Sequence, residues 1–180
     1  MRIVTLVILV VFMSCSSSKN ITTTAENNNL EEIVTKKEFA VSFDMANPLL
    51  LNNVIGIERL LPPGSNTASI NLAGNPNHFN VQKDSLSLYI PYFGEQRIAS
   101  GYSEDNSVKF EGTPTRVEQK YNSKKGAYIL KYWTRSKAES YVFTLTLFAN
   151  NSANLNVNSS HRSNINYLGK WEKLPTKEEI

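Results

Sequence analysis

Residues 127–149 read AYILKYWTRSKAESYVFTLTLFA, two alternating runs either side of a polar break. Tyr128, Leu130 and Tyr132 share one face of the first run, with Ile129, Lys131 and Trp133 on the other. In the second run Tyr141, Phe143, Leu145 and Leu147 oppose Thr144 and Thr146. A period of two places successive side chains on opposite faces of a strand, and aromatic and β-branched residues suit such a half-buried surface. The break from Arg135 to Glu139 supplies turn chemistry, so the segment reads as an antiparallel hairpin.

The same period extends in both directions. Downstream, Ala153, Leu155 and Val157 alternate with Asn154, Asn156 and Asn158, and Ile165 and Tyr167 with Asn164 and Asn166. Upstream runs carry Phe39, Val41, Phe43 and Met45; then Ala68, Ile70 and Leu72; then Leu86, Leu88 and Ile90; then Val108 and Phe110. Pro62-Pro63-Gly64, Ala73 to Asn77, Asn122 to Gly126, Asn150-Asn151 and Ser159 to His161 punctuate them as turns. Pro91 ends its run, because proline cannot donate to a central ladder. Leu30 to Val34 reads as a short helix, with Glu31 and Glu32 in its first turn and Lys36-Lys37 near its end, as the helix dipole favours. These signals predict a mainly β domain over residues 30–175. Its expected architecture is an antiparallel meander forming a curled sheet or open barrel, with a short N-terminal helix.

Composition agrees with one folded domain. The chain has 180 residues, 41% hydrophobic and 19% charged, which is too apolar for a disordered protein. A net charge of +3 is too weak for a nucleic-acid field, so no nucleic-acid partner is expected. One cysteine excludes an internal disulfide and a multi-cysteine metal site.

That cysteine stands at an informative place. Met1-Arg2 precedes an apolar stretch from Ile3 to Met13, broken only by Thr5. Such a helix would be about 16 Å long, half a hydrocarbon core, which suits a signal peptide over residues 1–14 and not a membrane span. Phe12-Met13-Ser14-Cys15, followed by Ser16-Ser17-Ser18, resembles a bacterial lipobox, with Phe12 in place of the usual leucine. The resemblance implies acylation of Cys15 and a membrane partner through that anchor. Residues 15–29 are rich in Ser, Thr and Asn and read as a flexible tether. The expected location is the cell envelope, on the outer membrane facing the periplasm.

Several stretches together resemble one family. They are the lipobox; Phe43-Asp44-Met45-Ala46-Asn47-Pro48; Asp84 to Gly94, which ends in Tyr89-Ile90-Pro91-Tyr92-Phe93-Gly94; Val108 to Gly112; and Leu155 to Arg162 leading into Ile165 to Gly169. This pattern is similar to the domain-of-unknown-function 4251 family of Bacteroidota lipoproteins, over about residues 35–172. The resemblance implies an envelope lipoprotein and carries no catalytic residues.

Catalytic patterns are thin. His78 and His161 sit in turn-like stretches and read as exposed loop residues. Glu104 to Ser107 lacks the ligand alternation of a calcium loop, and the glycines follow no phosphate-loop spacing, so no metal and no cofactor are expected. The aromatic cluster Tyr89, Tyr92, Phe93 and Tyr102 is the candidate binding surface, because a proline and a glycine bracket bulky rings at a strand end. The leading expectation is a non-enzymatic envelope lipoprotein that binds a small apolar ligand, a glycan or an envelope protein. The alternatives are a hydrolase using Glu111 with Glu118, and a structural subunit of an envelope assembly. Replacing Cys15 by serine is expected to abolish acylation in the native host. Intact mass reads this directly, and an unlipidated wild-type chain would remove the anchor.

Overall fold

The computed structural model describes residues 24–49, 61–98, 106–136 and 139–174. The leader, Cys15 and Tyr102 lie outside them. A helix, α1 (Thr24–Lys36), leads into β1 (Glu38–Pro48), β2 (Ile70–Asn71), β3 (His78–Gln82), β4 (Ser85–Ile90) and β5 (Val108–Gly112). There follow β6 (Arg116–Asn122), β7 (Ala127–Arg135), β8 (Ser140–Phe148), β9 (Ser152–Ser159) and β10 (Ile165–Lys173). All pair antiparallel in one sheet, in the order β5-β4-β3-β1-β10-β9-β8-β7-β6, with β2 against β1. The chain thus forms two meanders, and β1 joins them by lying between β3 and β10.

The sheet curls into a half-barrel around one apolar core. Phe79 on β3 meets Tyr132 on β7 edge-on at 5.6 Å and Phe143 on β8 at 6.1 Å, so the two meanders pack face to face. On α1, Leu30, Ile33 and Val34 are buried at helical spacing and join that core.

A bulge resets the facing of β1. Its register against β10 shifts between Phe43 and Met45. Phe39, Val41 and Phe43 are buried before it, and Ala46 and Pro48 after it. The sequence stripe carried Met45 inward; the extra residue turns it half out. Asn77 repairs the gap this leaves. Its side chain accepts the Phe43 N–H at 2.7 Å and donates to the Phe43 carbonyl at 2.9 Å. Opposite Phe43 stands Gly169. A methyl there would overlap the Ser42 carbonyl, so the two strands approach closely only over glycine.

Three local expectations change. The helix starts at Thr24, inside the stretch read as tether. His78 opens β3 instead of sitting in a turn, because β1 and β4 pair on either side of that strand. β6 escaped the sequence reading because its residues are almost wholly exposed and show little contrast between faces. Gly169→Ala is expected to destabilise the fold by about 3 kcal/mol, through overlap with backbone that cannot move aside. Urea unfolding measures it; an unchanged midpoint would contradict the close crossing.

Candidate functional site

The seam of the half-barrel forms the site. β5 pairs with β4 and β6 pairs with β7, although only Thr113, Pro114 and Thr115 separate them. The connector leaves β4 at Gly112, whose φ of 141° is a glycine conformation, and Pro114 has no N–H to offer a ladder. Thr115 then docks on β7, its N–H and Oγ1 both donating to the Trp133 carbonyl at 2.8 and 2.9 Å. One length of chain therefore closes the seam only where it crosses.

Below the crossing, toward α1, the seam is a cleft of about 340 Å³. Val34, Phe39, Val81, Leu86, Leu130 and Tyr132 give it an apolar lining. Val117 on the inner face of β6 also borders it and is 46% exposed, since no described strand covers it. The Tyr132 ring is buried, yet its hydroxyl has no hydrogen-bond partner among the described residues. Burial pushes its pKa well above the ordinary range, so it stays a neutral donor. Lys37, Lys83, Asp84 and Arg116 line the rim.

The opposite end of the barrel holds a buried polar cluster. Arg162 Nε donates to both oxygens of Glu139, at 3.1 and 3.3 Å, and its Nη1 donates to the Asn106 carbonyl at 2.7 Å. Tyr141 donates to Glu139 Oε2 at 2.6 Å, and Ser159 donates to Oε1. Burial opposes ionisation of Glu139, but the hydroxyl bonds from Ser159 and Tyr141 and the Arg162 charge together outweigh it. Its carboxyl is held below the ordinary value of 4.5. The guanidinium also lies over the Tyr92 ring, 5.1 Å from its centre. The Glu139 and Arg162 charges face each other within the chain, so this cluster locks the segment after β4 to β8, β9 and the start of β10.

The aromatic candidates separate. Tyr92 is 4% exposed, and its hydroxyl donates to the carbonyls of Ser163 at 2.8 Å and Glu95 at 3.1 Å. Gly94 leaves room for that hydroxyl, which a methyl there would strike. Phe93 is half-buried against the core. Tyr89 lies on the outer face of β4 with the Lys109 ammonium 5.2 Å from its ring centre. It borders a shallow groove where His78 Nε2 and Ser87 Oγ are 3.1 Å apart. No described carboxylate orients that histidine. Glu111 and Glu118 are both exposed, on β5 and β6, and Glu118 is bound by Arg116. No group of metal ligands occurs among the described residues.

Sequence reasoning missed the cleft, although it placed Leu130 and Tyr132 on one face. Pro114 was the available signal that a strand changes partners there. Glu139 looked like a turn residue and Arg162 like one that follows a turn, and nothing in their neighbours marks them as buried.

The fold defines the class: a curled antiparallel half-barrel with an apolar cleft at an unclosed seam. A family model described as Domain of unknown function (DUF4251) matches residues 22–171, and the chain belongs to that family. The crystal structure of a DUF4251 family protein from Bacteroides eggerthii DSM 20697 is similar in fold, with a TM-score of 0.54 at 11% identity. The similarity covers 83% of this chain and 88% of that one. No curated protein matches.

Glu139→Gln is expected to cost about 3 kcal/mol, because it leaves the buried Arg162 guanidinium without a counter-charge. The wild-type contribution is fully present above the ordinary carboxylate value of 4.5 and is lost as pH falls through the lower folded value. Urea midpoints measured as a function of pH should therefore drop in that acid window for wild type and flatten for the variant.

Proposed function

We propose that this protein is a non-enzymatic, lipid-anchored receptor of the bacterial cell envelope that takes a small apolar molecule into the cleft below the β5–β6 crossing. The cleft carries the reading. Its volume of about 340 Å³ lies at the low end of the range for small-molecule sites, roughly 300–1,000 Å³. Its aliphatic and aromatic wall is edged by Ser85, Thr113, Thr115 and Gln119, and the Tyr132 hydroxyl is free to orient a guest. Transfer of an apolar guest from water into such a lining is favourable in proportion to the area covered. The lipobox at Cys15 and the polar residues behind it support an anchored domain, with the outer membrane facing the periplasm as its place. A glycan fits this cleft poorly, because its hydroxyls would lose water against Phe39, Leu86 and Leu130.

Neutral N-phenyl-1-naphthylamine, fluorescent when removed from water, is the probe. It should bind saturably at one site. Ser85→Trp, at an exposed position on the cleft wall, should weaken it about tenfold by filling the mouth. No saturable binding, or equal binding by the variant, would overturn the reading.

A further inference from the structure

We infer that the cleft selects apolar molecules with an anionic end, and that Lys83 holds that end; the inference rests on the cleft being the binding site. Three cations, Lys37, Lys83 and Arg116, stand at the rim. Two of them are answered within the chain. Lys37 Nζ is 3.1 Å from Asp84, and Arg116 is bound by Glu118 while its guanidinium lies 4.8 Å from the centre of the Trp133 ring. The Lys83 ammonium makes no ion pair or hydrogen bond among the described residues. Apolar walls below and one uncompensated cation at the mouth are complementary to an amphiphile whose head is a carboxylate or another compact anion.

The backbone supplies an independent reason to assign Lys83 a role. Lys37 has φ 54° and Lys83 has φ 57°, the left-handed region where glycine is relaxed and a Cβ is strained. The two strained residues are neighbours, since the Lys83 N–H donates to the Lys37 carbonyl at 2.8 Å. Both therefore sit on one rim of one cleft, one at the end of α1 and one in the β3–β4 turn. Glycine would serve either turn with less strain. A lysine there supplies a charge that the turn itself does not need, and strain of this kind concentrates at ligand sites.

The same property makes the test clean, because Lys83→Gly removes the charge and relaxes the backbone. Decanoate and decanol share a tail and differ in head charge. Each is titrated against the full-length protein by displacement of N-phenyl-1-naphthylamine at pH 8. Wild type should bind decanoate about tenfold more tightly than decanol. Lys83→Gly should keep its urea midpoint or raise it and lose the preference, and Lys83→Glu should reverse it. Equal binding of both compounds by wild type overturns the inference and leaves the cleft reading standing. A preference that persists in Lys83→Gly overturns the assignment to Lys83. Failure of either compound to bind, with no probe bound, overturns the cleft reading and the inference with it.

Discussion

A strand that changes partners partway cannot seal a barrel on both sides of the change. That constraint shapes this molecule. The chain pairs with β4 as far as Gly112 and with β7 from Arg116, and Pro114 in between offers no N–H to either neighbour. The sheet is thereby held in a curl while its seam stays open above and below the crossing. An opening toward α1 is then lined by the residues that would have met in a closed core, such as Leu86 and Leu130. The cleft is a consequence of topology, and its apolar character follows from the alternation of the strands that border it.

The two ends of the half-barrel are built differently. At the far end, Glu139 and Arg162 are removed from water and satisfied by hydroxyls, a carbonyl and each other. A buried pair of this kind adds little net stability against an apolar substitute, but removal of one member is costly. Its effect is positional: it ties the segment after Pro91 to the strands opposite. At the helix end, by contrast, an aromatic hydroxyl and a lysine ammonium lack partners among the described residues.

Much of the fold was legible in the sequence, and the reasons are local. Runs such as Leu86-Ser87-Leu88-Tyr89-Ile90 and Phe143-Thr144-Leu145-Thr146-Leu147 state their faces directly, because one face is wet and the other dry. β6 was not legible, since Val117 and Tyr121 are each 46% exposed and no burial contrast imposes a pattern. The bulge at Asp44 was hidden because a stripe continued by Met45 looks unbroken in one dimension. Tyr92 misled for a related reason: a ring between a proline and a glycine resembles a rim residue, while its hydroxyl is in fact folded inward to Ser163 and Glu95. What decided each of these was contact with a distant segment, which spacing along the chain does not encode.

The most direct test of the account is to see where an apolar acid lies. A crystal of the protein grown with 10-bromodecanoic acid would place the bromine by its anomalous scattering. The account puts that peak among Val34, Leu86 and Leu130, with the carboxylate beside Lys83. A peak elsewhere on the molecule, or none at saturating acid, would contradict it.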